Sequence, residues 1–122
     1  MELHRAGKEY LKTILVLEQQ NGTVRSLDIA RTLRVTKPSV SKAMKRLREG
    51  GYLTMDGNKR INLTKPGREI AEQTIRLHRS LASCLIAMGV DPAIAQRDAC
   101  QMEHSLSPET LDKMLLFVKT KP

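Results

Sequence analysis

Residues 26–51 read SLDIARTLRVTKPSVSKAMKRLREGG, and the fold turns on them. Ser26 is a good helix N-cap, and Asp28 falls in the first turn, where the helix dipole favours an acid. Leu27, Ile29, Ala30 and Leu33 supply the buried side of this short helix. Val35-Thr36-Lys37 makes a brief turn, and Pro38 opens the next helix at a position where its missing N–H costs nothing. On a wheel of about 100° per residue, Val40, Ala43, Met44 and Leu47 share one side of that helix. Ser39, Ser41, Lys42, Lys45 and Arg46 fall mostly on the other. Gly50-Gly51 ends it. A short helix, a tight turn and a basic helix are the core of a helix-turn-helix. Cations with hydroxyls on one face suit phosphate contacts and base-edge hydrogen bonds in the major groove of double-stranded DNA. An ordinary solvated helix face has a similar composition, so the flanking elements decide between the two.

Upstream, helical periodicity runs from about Leu3 to Gln20, with an apolar stripe of Tyr10, Leu11, Ile14, Leu15 and Leu17 that ends at Asn21-Gly22. Downstream the period changes. Leu53 and Met55 alternate with polar residues, as do Ile61 and Leu63, and Asp56-Gly57-Asn58-Lys59 between them signals a hairpin. Three helices followed by a two-stranded hairpin give a winged helix-turn-helix. Lys59 and Arg60 sit at the wing tip, where they would meet the DNA backbone or minor groove, although basic hairpin tips are common on any protein. Thr64 caps a long fourth helix, about Lys65 to Met88, which Gly89 stops. Asp91 caps a fifth helix from Pro92 to about His104, and Ser107-Pro108-Glu109 starts a sixth that ends near Lys119. The expected fold is mostly α, with a winged helix-turn-helix over residues 1–64 and a helical region over residues 65–122.

Composition agrees with a division of labour. The 122 residues carry a net charge of +8. Residues 1–68 hold 15 Lys+Arg against 6 Asp+Glu, whereas residues 69–122 hold 6 against 7. A basic half beside a near-neutral half points to an anionic partner for the first. The single Phe, two Tyr and absent Trp argue against modules that stack bases on aromatic rings. No apolar run approaches the roughly 18 residues that cross a bilayer, and the charged first 20 residues do not read as a signal peptide, so no membrane partner is expected. Two cysteines, Cys84 and Cys100, make no disulfide scaffold, and a reducing cytoplasm is the simplest setting.

The fifth helix carries Cys100, Glu103 and His104 at i, i+3 and i+4, which places a thiol, a carboxylate and an imidazole on one face. Each can donate to a transition metal, yet a cysteine on an amphipathic helix is more often core, and Glu103-His104 reads equally as surface. Leu106, Leu111, Met114, Leu115, Phe117 and Val118 make the last helix apolar enough for a homodimer face, or for the closure of the core.

The whole chain resembles the diphtheria-toxin-repressor and manganese-transport-regulator family of metal-dependent (iron-dependent) repressors. The resemblance is carried by Glu9-Tyr10-Leu11, Asp28-Ile29-Ala30, Pro38-Ser39-Val40-Ser41, Leu63-Thr64-Lys65-Pro66-Gly67, His78-Arg79, Gly89-Val90-Asp91, Asp98-Ala99-Cys100 and Glu103-His104. It implies a homodimeric repressor of metal-homeostasis genes, activated by a divalent metal, in a short form without the family's optional C-terminal domain. By position it implies Glu9, His78, Cys100, Glu103 and His104 as metal ligands. The departures are specific. Lys12 stands where the manganese branch has a second carboxylate, and Glu9 where the iron branch has a thioether. Ala82 and Gln96 replace a carboxylate and an imidazole of the iron branch's second site, so one complete site and one depleted site are expected. A thiolate, an imidazole and carboxylates favour Fe(II), then Mn(II), with Zn(II) or Co(II) able to bind in vitro.

Two other functions are compatible with parts of the chain. One is a winged-helix regulator gated by oxidation of Cys84 or Cys100 rather than by metal. The other is a small Cys/His enzyme built on Cys100 and His104, which lacks an evident oxyanion element and leaves the basic half unexplained.

Overall fold

The computed structural model describes residues 5–119, with six helices and one two-stranded sheet. The expected start of the first helix at Leu3 lies outside the described residues, as does the side chain of Val118. The chain divides into two compact units, and the division falls between Gln73 and Thr74, inside the fourth helix.

The first unit packs α1 (Arg5–Asn21), α2 (Ser26–Leu33) and α3 (Lys37–Glu49) against β1 (Leu53–Met55) and β2 (Ile61–Leu63). Its core is apolar and draws on every element. Leu11, Ile14 and Leu15 come from α1, Ile29 from α2, Val40, Met44 and Leu47 from α3, and Leu53 and Ile61 from the strands. Tyr10, expected in the α1 stripe, is half-buried, and Thr13 is buried in that helix instead. The strands pair antiparallel in the register Leu53↔Leu63, Thr54↔Asn62 and Met55↔Ile61.

Local chemistry sets the boundaries. Arg25, not Ser26, is the N-cap of α2, and its backbone N–H donates to Asp28 Oδ2 at 2.9 Å. Asp28 thus closes half of a capping box and leaves Ser26 inside the helix. Leu27, expected on the buried side, is 38% exposed. Two residues before Ile29 it stands about 200° around the helix, on the opposite face. The turn into α3 places Arg34 in the left-handed region, and the Thr36 hydroxyl caps α3 by accepting from Ser39 N–H at 3.3 Å. α4 (Lys65–Ala87) begins after Thr64, whose hydroxyl accepts from Gly67 N–H and donates to Gly51 O at 2.7 Å. Gly67 has a packing reason to be glycine: a Cβ there would overlap the Tyr52 carbonyl.

In the second unit, Leu81 and Ala82 of α4, Ala99 of α5 (Pro92–Met102) and Leu111 of α6 (Pro108–Lys119) form a core flanked by Leu77, Leu85, Met102, Leu106, Met114 and Leu115. Asp91 caps α5 by accepting from Ala93 and Ile94 N–H. α5 ends at Met102, two residues before the expected end. Glu103 is its C-cap, with φ −57° and ψ −23°, and His104 lies in the turn that follows. Of the last helix, Leu111 is buried, Met114 and Leu115 are half-buried, and Phe117 is 60% exposed.

Candidate metal centre and nucleic-acid interface

The first candidate site lies within the second unit. α4 carries His78, α5 carries Cys100, and Glu103 caps the end of α5 through its N–H to Ala99 O at 3.0 Å. One ligand atom from each of His78, Cys100 and Glu103 can be chosen so that all lie within 4.8 Å of one another. The Glu103 side chain is fully buried. Its Oε2 lies 3.2 Å from His78 Nδ1, and its Oε1 lies 3.2 Å from His104 Nε2. The His78 side chain is 19% exposed and that of His104 4% exposed. His78 Nδ1 is buried without a hydrogen-bond partner. A thiol, an imidazole nitrogen and a buried carboxylate converging on one point form a donor set that a divalent transition metal satisfies. The residues present therefore fit the group that the family resemblance implies.

His104 reaches this cluster from the turn after α5 rather than from the helix face, because the helix has already ended. Ala82 is 3% exposed within the apolar core of the second unit. Glu9 lies on α1 in the first unit, where Lys12 Nζ stands 3.6 Å from its Oε1.

The second candidate site lies within the first unit. Ser39, Ser41, Lys42, Lys45 and Arg46 are all exposed on α3, as are Lys59 and Arg60 on the hairpin. The Ser39 hydroxyl also serves the helix start, accepting from Thr36 Oγ1 at 2.8 Å. Between the start of α2, α3 and the hairpin runs a cleft of about 610 Å³ whose lining includes Arg25, Lys37, Ser41, Arg48 and Lys59. Arg25, Lys37 and Arg48 were not singled out by the sequence reading. Lys37, Ser41 and Arg48 fall on one stripe at helical spacing, a signal that was available. Arg25 joins them only because the hairpin folds back: its Nε donates to Asn58 O at 3.3 Å. Asp56 organises the hairpin tip. Its Oδ1 accepts from Asn58 N–H at 2.8 Å and from Arg60 N–H at 3.0 Å, and Lys59 takes a left-handed φ of 62°. The Arg60 N–H, helped by that of Asn58 and by the Arg60 and Arg25 charges, holds the Asp56 carboxyl below the ordinary aspartate range.

A winged helix-turn-helix followed by a helical unit with a Cys/His/Glu cluster defines a class of metal-linked DNA-binding regulators. The family description "iron dependent repressor, N-terminal DNA binding domain" matches residues 2–61, and "iron dependent repressor, metal binding and dimerisation domain" matches residues 64–121. The chain belongs to the iron-dependent repressor family, whose members are DNA-binding transcriptional repressors and not enzymes. Transcriptional regulator MntR of Salmonella typhimurium is 37% identical over 120 residues, covering 97% of this chain and 76% of MntR. Iron-dependent repressor IdeR of Mycobacterium tuberculosis is 31% identical over 122 residues, covering 99% of this chain and 53% of IdeR. The crystal structure of T. acidophilum IdeR shares the fold, with a TM-score of 0.79 at 24% identity over 93% of this chain and 54% of that one. Among the described residues, no helix is long and apolar enough to cross a membrane.

Proposed function

We propose that this protein is a cytoplasmic, homodimeric repressor that binds a double-stranded DNA operator when a divalent metal is bound, and that it controls genes of iron or manganese homeostasis. The observation that carries the reading is the convergence of His78, Cys100 and Glu103 on one point, around a fully buried carboxylate. Placing a carboxylate in an apolar interior costs several kcal/mol unless a positive charge or donors offset it. The bound metal supplies that charge. His104 adds a second imidazole at Glu103. Glu9 enters the ligand set through the family resemblance. A thiolate beside imidazole and carboxylate favours Fe(II) over Mn(II), while Zn(II) and Co(II) bind such donors in vitro.

On the DNA side, Lys42, Lys45 and Arg46 of α3 supply groove and phosphate contacts, with Ser39 and Ser41 beside them, and Lys59 and Arg60 extend the interface from the wing. The cleft cations Arg25, Lys37 and Arg48 add positive potential between the two elements. For metal to activate repression, the DNA-competent arrangement must bind it more tightly than the incompetent one. The deciding experiment measures DNA affinity anaerobically with Fe(II), Mn(II), Zn(II) and Co(II) in turn, and separately after peroxide. Metal-enhanced binding supports this reading. DNA binding indifferent to all four metals but altered by peroxide would replace it with thiol gating.

A further inference from the structure

Gln96 lies on α5 four residues before Cys100 and seven before Glu103, so the three positions share a helix face. Its side-chain oxygen lies 2.7 Å from His78 Nε2. A carboxamide oxygen only accepts hydrogen bonds, so the nitrogen facing it carries the hydrogen. A neutral imidazole has one N–H, and its other nitrogen then holds a bare lone pair. That other nitrogen is Nδ1, the buried atom without a hydrogen-bond partner, which faces Glu103 Oε2 at 3.2 Å and belongs to the group with Cys100.

From this geometry we infer that Gln96 is a positioning residue of the metal centre: it fixes His78 as the Nε2–H tautomer and so aims a bare Nδ1 at the point shared by Cys100 and Glu103. The inference rests on the proposed metal site and adds to it a residue outside the ligand set. A metal-bound histidine commonly donates its other N–H to an oxygen acceptor, which sets both tautomer and ring orientation. Here the acceptor comes from the helix that also carries Cys100. The family resemblance counts position 96 among the places of a second metal site, and the structure gives its side chain a different task. Because Nε2 is spent as a donor to Gln96, His78 offers one nitrogen to one ion. It therefore serves the Cys100–Glu103 centre and is withdrawn from any second centre. The missing second site is then more than a loss of ligands at Ala82 and Gln96, since the remaining imidazole has been turned toward the first.

The test uses the full chain in two measurements. The first is long-range ¹⁵N–¹H correlation of the imidazoles of the metal-free protein at neutral pH. The chain has three histidines, and His78→Gln assigns the signal. The second is Co(II) titration, read through thiolate-to-Co(II) absorption from Cys100. The Nε2–H tautomer is expected in the wild type and in Gln96→Glu, which keeps an acceptor. Gln96→Leu should give a mixed tautomer signal and bind Co(II) about 10–100-fold more weakly, while Gln96→Glu should retain wild-type affinity or exceed it. Gln96 is exposed, so both variants should keep the wild-type melting transition, and a purely structural role would not show rescue by Glu alone. An Nδ1–H tautomer or an imidazolium in a wild type that binds Co(II) overturns the Gln96 inference alone. Undiminished Co(II) affinity in Gln96→Leu does the same. Failure of the wild type to take up Co(II) overturns the metal-site reading and this inference with it.

Discussion

Gly67→Ala should destabilise the first unit, even though alanine is the better helix former. Gly67 lies in the first turn of α4, where the change to Ala would ordinarily gain up to about 1 kcal/mol of helix propensity. The added Cβ, however, would overlap the Tyr52 carbonyl oxygen and come within 2.9 Å of the carbonyl carbon. What must yield is backbone, not the end of a flexible side chain. The same Tyr52 carbonyl accepts from Thr64 N–H at 3.1 Å, and the Thr64 hydroxyl accepts from Gly67 N–H at 3.3 Å. Overpacking costs about 1–3 kcal/mol, and each of those hydrogen bonds contributes about 0.5–1.5 kcal/mol. Subtracting the propensity gain leaves a net loss of about 1–5 kcal/mol, with about 3 kcal/mol at the middle. With a urea slope of about 2 kcal/mol/M, that middle value lowers the unfolding midpoint by about 1.5 M. Gly57→Ala is the control: nothing lies within 4 Å of a Cβ there, and the change should stay within about 0.5 kcal/mol. A Gly67→Ala midpoint equal to or above the wild type would refute the close approach of Tyr52 to α4.

Lys45→Ala should weaken operator binding and reduce the slope of log K against log salt by about 0.9, the value for one phosphate contact; unchanged slopes for the Lys42, Lys45 and Arg46 alanine variants would place α3 away from DNA. Glu9→Gln should lose most of the metal's enhancement of DNA affinity, about 1–3 kcal/mol of coupling, while keeping more of the metal binding itself and leaving metal-free DNA affinity unchanged. Measuring both equilibria on that variant decides the role of Glu9. Calorimetry should find one tight metal per subunit, and two equal tight sites would contradict the assignment of His78. Because the folded-state pKa of Asp56 is lowered, its contribution to stability is present above the unfolded value and is lost as pH falls through the folded one. Carboxyl NMR should therefore place the Asp56 midpoint below the ordinary aspartate value, and Asp56→Ala should move it out of the acid-unfolding profile.

Elements announced by local chemistry were legible from the chain. Thr64 and Asp91 cap helices because a short side-chain oxygen can reach the free N–H groups of the next turn, and both do so here. The hairpin register follows from alternation at Leu53, Met55, Ile61 and Leu63. Where two local signals competed, the structure chose the one with the better geometry. Ser26 reads as a cap, yet Asp28 reaches back to the Arg25 N–H and moves the boundary by one residue. The end of α5 was obscure because Glu103 keeps helical dihedrals and no glycine or proline marks the stop. Among contacts between distant residues, the grouping of His78 with Cys100 and Glu103 was legible through the family resemblance, and others were not. Arg25 becomes part of the basic cleft through a carbonyl 33 residues away, and Gln96 reads only as the replacement of a ligand until α4 brings His78 beside it.

The hairpin tip bears on the entropy of DNA binding. Asp56 ties down two backbone N–H groups, Arg25 holds the Asn58 carbonyl, and Lys59 already occupies its left-handed conformation. Ordering a flexible loop on association would cost about 1–2 kcal/mol per backbone residue. A tip whose turn is formed before DNA arrives avoids that cost over residues 56–60, so in the proposed interface Lys59 and Arg60 would meet the duplex in a shape that folding has already set. Loosening the tip at Asp56 should accordingly lower DNA affinity through a less favourable binding entropy, with every cation of the interface still in place.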